Sequence, residues 1–280
     1  MSRAVRLGAV DYLNARPLVY GLEAGAPTAA PSDAMPLPAL SVRFDLPAVC
    51  ATLLDKREID LGLIPSIAYF DRPEFRAVPG IGIISDGPVA SVAIFTKRPL
   101  REVRSLALDT SSRTSVALTR VLCARVFEIA PRFVPHGPNL AAMLDACDAA
   151  LLIGDPALFA DHAALGAEKV DLGRTWTERI GRPFVWAFWT GRADAADASV
   201  VERLQGVRDA GIAASDWIAD DYCAGDPDRQ AIARAYLREN IKYELSEAAL
   251  EGLRTFYREA AALDIIARAE SVRFFDVGRL

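Results

Sequence analysis

The chain has 280 residues, 52% of them hydrophobic and 25% charged, which is the composition of a folded globular protein and excludes a disordered one. A net charge of -5 and a pI near 5.2 argue against nucleic acid or an anionic membrane surface as a partner. This length suffices for one large domain or two smaller ones, each with its own core.

The first residues, Met1-Ser2-Arg3-Ala4, run directly into an apolar segment at 5–10, without the apolar stretch and small-residue cleavage site of a secretory signal. No window approaches 18 uninterrupted apolar residues, so no membrane span is predicted and a cytoplasmic location is expected. In chain order the strand patterns fall at 5–10, 40–44, 59–64, 77–84, 90–96, 104–109, 149–153 and 183–190. The helical patterns fall at 47–57, 114–128, 139–146, 198–218, 228–243 and 247–261. The proline- and alanine-rich run at 25–40 reads as an exposed loop. Asp226-Pro227 provides a cap followed by proline at the first helical position, and Ser246 caps a helix whose apolar stripe is Leu250, Leu253, Phe256 and Tyr257. Alternation of this kind is the α/β pattern of helices packed on largely parallel sheets.

The densest chemical signal is Ser111-Ser112-Arg113-Thr114-Ser115. It follows the strand pattern ending at Asp109 and precedes apolar residues at helical spacing, Ala117, Leu118, Val121, Leu122 and Val126. A helix N-terminus exposes unpaired N–H groups and the positive end of the helix dipole, both suited to a carboxylate or phosphate. A single hydroxyl suffices for an N-cap, and this segment has four in five residues.

Metal and redox chemistry find little support. Cys50, Cys123, Cys147 and Cys223 lie far apart with no C-x-x-C, and His136 and His162 have no metal-ligand spacing to another His or Cys. Neither a G-x-G-x-x-G after a strand nor a G-x-x-x-x-G-K-[ST] loop occurs. No metal or organic cofactor is therefore expected. Trp176, Trp186 and Trp189 are candidates for the wall of a cleft, although aromatics in such runs usually belong to a core.

The segments Val92–Thr96 and Trp186–Thr190 bracket a middle stretch that contains the serine-rich turn. If both cross between lobes, residues 1–93 and 191–280 build the first lobe and 94–190 the second, with a ligand cleft between them.

Six ordered motifs carry a family resemblance. They are Asp11-Tyr12-Leu13-Asn14-Ala15-Arg16-Pro17-Leu18, Asp60-Leu61-Gly62-Leu63-Ile64-Pro65-Ser66, Ser85-Asp86-Gly87-Pro88-Val89-Ala90-Ser91, Ser112-Arg113-Thr114-Ser115-Val116-Ala117-Leu118, Leu152-Ile153-Gly154-Asp155-Pro156-Ala157-Leu158 and Pro183-Phe184-Val185-Trp186-Ala187. In this order, from about residue 7 to 257, the chain resembles the MqnA family, chorismate dehydratases of the futalosine route to menaquinone. The resemblance implies a two-lobed type II periplasmic-binding-protein-like fold, each lobe a mixed sheet flanked by helices. It also implies a small-molecule substrate, chorismate, with Asn14 and Ser91 on the reacting face. The expected substrate-binding set is Ser66, Ser112, Arg113, Thr114, Ser115, Gly154 and Asp155, with Asp155 a cleft residue rather than an acid catalyst.

Each residue also has a plainer reading: Asn14 or Asp155 as a helix cap, Ser91 as a small packed side chain, His136 as an exposed loop residue. Asp11 stands where a small or neutral residue is expected and places a charge near the proposed site. Two other functions fit the same pattern. One is a binding protein or sensor that closes on an anionic metabolite. The other is the sister enzyme acting on a cyclic futalosine derivative, which needs a protein base for which His136 is the candidate.

Overall fold

The protein is described by a computed structural model over residues 4–22 and 39–277. Up to residue 38, the loop expected at 25–40 lies outside the described residues.

Two mixed sheets organise the chain. In the first, β1 (Val5–Val10) runs parallel to β2 (Leu40–Asp45) on one side and β3 (Leu61–Pro65) on the other. β11 (Phe184–Arg192) pairs antiparallel with β3, and its other edge takes β4 (Phe75–Ala77) and β5 (Ile83–Ser85). The second sheet has the order β10 (Glu168–Asp171), β6 (Val92–Thr96), β9 (Ala149–Ile153), β7 (Ser105–Asp109), β8 (Arg132–His136). The interior strands β3, β6 and β9 are buried along their whole length, which is why they read as unbroken apolar runs.

The chain therefore passes between the sheets twice, before β6 and before β11. Residues 184–190, expected in the middle lobe, lie with β11 in the first sheet, while Val92 and Ala93 lie with β6 in the second.

Nine α-helices flank the sheets among the described residues: α1 (Pro47–Asp55), α2 (Arg113–Arg125), α3 (Leu140–Ala146), α4 (Gly154–Leu158), α5 (Leu172–Ile180), α6 (Ala198–Ala213), α7 (Ser215–Tyr222), α8 (Pro227–Ala235) and α9 (Glu247–Ala262). The expected caps form, with Asp226 accepting from Arg229 N–H and Ser246 from Ala249 N–H.

Several elements depart from expectation. The run at 77–84 is two short strands with a turn between them. The helix expected at 198–218 breaks at Ala214, where the Ser215 hydroxyl takes the Ile212 carbonyl at 2.7 Å and so competes with the helix ladder. The helix expected at 228–243 ends as a π turn, Tyr236–Asn240, after which the chain runs extended and Lys242 bridges to Ile84. β8, β10 and α5 were not expected as elements.

The 3-10 turn Leu13–Leu18 matters most to the cleft, because it carries Asn14. It lies directly on α6: a Cβ added at Gly211 would fall 2.0 Å from the Pro17 carbonyl oxygen, so only glycine admits this approach.

Candidate active site between the lobes

β7 delivers the serine-rich turn to the interface. The Asp109 carboxylate, fully buried at the end of β7, accepts from Ser111 N–H at 2.9 Å and Ile153 N–H at 3.3 Å, tying the ends of β7 and β9 together. Ser112 then caps α2, accepting from Ser115 N–H at 3.3 Å with the two hydroxyls 3.0 Å apart. Only one hydrogen bond joins those hydroxyls, so one of their two protons is left for another acceptor.

Facing this turn is a cavity of about 50 Å³ lined by Tyr12, Asn14, Ser91, Ser112, Ser115, Gly154 and Trp186 together with apolar side chains. None of the described residues lining it carries a formal charge. Ordinary ligand pockets hold roughly 300–1,000 Å³, so admitting a ring-sized molecule requires the lobes to part. Two larger concavities, of about 600 and 420 Å³, contain neither Asn14 nor Ser91.

Asn14 and Ser91 thus share one cavity, although they are 77 positions apart in sequence and belong to different sheets' connections. The Asn14 side-chain oxygen Oδ1 is buried and has no hydrogen-bond partner among the described residues, the state of an acceptor awaiting a ligand. Ser91 precedes β6, in the first crossing between lobes, and is held unusually firmly. Ala90 adopts φ +60°, and Ser91 N–H closes a tight turn onto the Val89 carbonyl at 2.7 Å. The Asp171 carboxylate takes the N–H groups of Val89 and Ala90 at 3.0 and 2.6 Å, and the Asn240 amide donates to the Pro88 carbonyl at 3.0 Å. Behind Ser91, its Oγ lies 2.7 Å from the hydroxyl of the buried Tyr236. Tyr243 donates to the Asn14 carbonyl at 3.0 Å.

The remaining expected residues divide. Ser112 and Ser115 line the cavity, as does Gly154, whose backbone is left-handed at φ +66° and whose missing Cβ leaves room for the Tyr12 ring. Ser66 and Thr114 lie outside it: Thr114 Oγ1 accepts from Ile67 N–H at 3.2 Å and sits 3.4 Å from Ser66 Oγ, which donates to the Val185 carbonyl. They join the two lobes. Thr114→Val leaves the buried Ile67 N–H unpaired and is expected to cost about 1–3 kcal/mol of stability, readable in a thermal melt. Arg113 is exposed and faces the 420 Å³ concavity.

Asp155 is a bridge as well. From α4 its carboxylate accepts from Leu13 N–H at 3.1 Å and from the Tyr222 hydroxyl at 2.5 Å, both on first-lobe elements. Burial pushes its carboxyl pKa up, against the lowering effects of Tyr222, Leu13 N–H and Arg16. A carboxyl raised in the folded state gives most stability below its unfolded value and loses it as pH rises through the folded one. Asp155→Ala is expected to cost about 1–3 kcal/mol in urea unfolding at neutral pH, by stranding two donors, and Asp155→Asn less.

Asp11 does not line the cavity, although its charge adds to the upward push that burial gives the phenol of Tyr12, which does. The Asp11 side chain is 57% exposed and pairs with Arg16 at 2.6 Å. His136 stands at the end of edge strand β8, with Nδ1 2.8 Å from the Gly137 carbonyl, away from the cavity lining. Trp186 does wall the cavity, whereas Trp176 and Trp189 are fully buried core. Among the described residues no group of three or more His, Cys, Asp or Glu is placed to hold a metal, and all four cysteines are free and buried. No helix of the described residues is long and apolar enough to cross a membrane.

Two mixed sheets joined by two crossings, with a cavity between them, define the periplasmic-binding-protein fold. The E. coli periplasmic aliphatic sulphonate binding protein SsuA shares it, with a TM-score of 0.67 at 16% identity over 100% of this chain and 94% of its own. A crystal structure of an Archaeoglobus fulgidus protein aligns with a TM-score of 0.72 at 17% identity, over 94% of this chain and 98% of its own. Within that fold, a sequence profile described as menaquinone biosynthesis matches residues 5–262. The chorismate dehydratase of Thermus thermophilus is 30% identical over 258 residues, covering 86% of this chain and 94% of that protein. The chain belongs to the menaquinone-biosynthesis family.

Proposed function

We propose that the protein is a chorismate dehydratase, a lyase that converts chorismate to 3-[(1-carboxyvinyl)oxy]benzoate and water in the futalosine route to menaquinone. The observation that carries this reading is a cavity between the lobes that the described residues line without a charge, and in which Asn14 Oδ1 is buried beside Ser91 with no partner among them. The name of the Thermus thermophilus relative points the same way.

The substrate already holds the driving force, since loss of the C3 proton and the C4 hydroxyl makes its ring aromatic. Negative charge developing at C3 is conjugated through the ring alkene to the C1 carboxylate. The N-terminus of α2, with the Ser112 and Ser115 hydroxyls, is the electropositive element lining the cavity and takes that carboxylate. Asn14 Oδ1 accepts a hydrogen bond from the C4 hydroxyl, which keeps its proton, while Ser91 donates to the C4 oxygen as it departs.

A general base must titrate near the working pH or be supplied by the substrate. Among the described residues the lining holds no His, Asp, Glu or Lys, and burial raises the pKa of the Tyr12 phenol, keeping it protonated. The substrate's own enolpyruvyl carboxylate is therefore the base in this scheme. Aromatisation and proton transfer complete the elimination, so no cofactor enters, and the site of action is the cytoplasm.

Offering the purified protein chorismate and the cyclic futalosine derivative in separate ultraviolet assays tests the reading. The expected result is an aromatic product from chorismate alone. Chorismate bound but unchanged means a binding protein, and consumption of the cyclic derivative alone means the sister enzyme.

A further inference from the structure

We propose that Tyr236 is a positioning residue for this reaction: from behind the cavity wall it donates to Ser91 Oγ and thereby turns the Ser91 proton toward the departing oxygen. The inference rests on the dehydratase reading. Tyr236 stands on the π turn Tyr236–Asn240, a local widening of the kind that often accompanies functional sites, and is 1% exposed. Its hydroxyl lies 2.7 Å from Ser91 Oγ, and that distance leaves either oxygen as donor.

The surroundings decide the direction. A buried phenol proton needs an acceptor. The Asn14 side chain also hydrogen-bonds the Tyr236 hydroxyl, but its Oδ1 has no partner among the described residues, so Asn14 meets Tyr236 with its amide N–H and Ser91 Oγ is the acceptor that remains. With Ser91 donating instead, the Tyr236 proton would be stranded behind the wall. With Tyr236 donating, the Ser91 proton is free to point into the cavity that Ser91 lines.

The Ser91 backbone is already fixed, its N–H on the Val89 carbonyl and its carbonyl on Gly154 N–H at 2.8 Å, with Asp171 and Asn240 holding the three residues before it, which leaves the hydroxyl for Tyr236 to orient. Bonds in such a chain polarise one another, so a donor behind Ser91 makes it a better donor to developing charge. The balance is simple. The C3–H bond breaks toward the enolpyruvyl carboxylate, the C4–O bond breaks, and the proton taken from C3 ends in the released water. Ser91 and Tyr236 keep their own protons.

Tyr236→Phe removes only the hydroxyl. It is expected to lower kcat roughly 10- to 100-fold with KM within about twofold, and to have no further effect in a Ser91→Ala background. Full kcat in Tyr236→Phe, or the same fold-loss with and without Ser91, overturns the proposal. If Tyr236→Phe fails to fold, the hydroxyl proton of Tyr236 is followed by NMR in the unaltered protein and in Ser91→Ala. A shifted resonance supports the bond and an unmoved one overturns it. An unaltered protein that leaves chorismate untouched defeats the dehydratase reading instead, and the NMR comparison still judges the bond.

Discussion

Asn14→Ala and Ser91→Ala are each expected to fold normally and to bind chorismate, yet to turn it over about two to three orders of magnitude more slowly. Asn14 contributes no packing to the core, and Ser91→Ala leaves the buried Tyr236 hydroxyl without its acceptor at a cost of about 1–3 kcal/mol, which a folded domain tolerates. Asn14 projects from a 3-10 turn anchored by Leu13, Ala15, Pro17 and Leu18, all buried, and Ser91 is held through its backbone, its N–H on the Val89 carbonyl and its carbonyl on Gly154 N–H. Ser91→Ala removes a bond to the C4 oxygen that strengthens as charge develops there, and Asn14→Ala removes the acceptor that orients the C4 hydroxyl for departure, so kcat falls more than KM rises. Across about pH 6 to 8 the unaltered protein should show a flat rate. A histidine base would bend the profile in that window, whereas the hydroxyls near the reacting face, Tyr12 and Tyr236, have pKa values raised by burial and stay neutral throughout it. Full activity in both variants, or a protein pKa inside that window, contradicts the assigned roles.

Gly154→Val is expected to damage stability and turnover together. At φ +66° a non-glycine residue is strained, and a Cβ built there meets Tyr12 Cε2 and Cζ at 2.8 Å. Strain costs about 1–2 kcal/mol and overpacking about 1–3 kcal/mol, giving a loss of roughly 2–5 kcal/mol. The Tyr12 ring also has to leave the cavity wall, which changes the space beside Asn14. Thermal unfolding and steady-state kinetics on the same preparation read both effects. An unchanged melting temperature with unchanged kcat shows that the Tyr12–Gly154 contact has no part in shaping the site.

How much of this is legible in the chain follows from where each residue spends its interactions. β3, β6 and β9 are buried on both faces and announce themselves as apolar runs. β8 and β10 are sheet edges, and an edge tolerates the proline of Arg132–His136 and the charges of Glu168–Asp171 that disguise a strand. At the site, the capping turn at Ser112 was readable because local spacing specifies it. Asn14 and Ser91 stood out through family likeness, since one asparagine or serine carries no local signature. Tyr236, Tyr243, Asp171 and Asn240 were not visible. Tyr236 sits in an ordinary helical apolar pattern, and its contact with Ser91 spans 145 positions. Thr114 and Ser115 show the opposite limit: sequence groups them, yet only Ser115 lines the cavity while Thr114 joins the lobes.

The central claim is that this cavity dehydrates chorismate using neutral protein groups and the substrate's own carboxylate. Its most direct test is proton NMR of chorismate incubated with the purified protein after exhaustive chelation. The ring alkene signals are expected to give way to those of a meta-substituted benzoate whose enolpyruvyl group is intact. A chorismate spectrum that only broadens and never converts, or conversion that returns only when a divalent ion is restored, contradicts it.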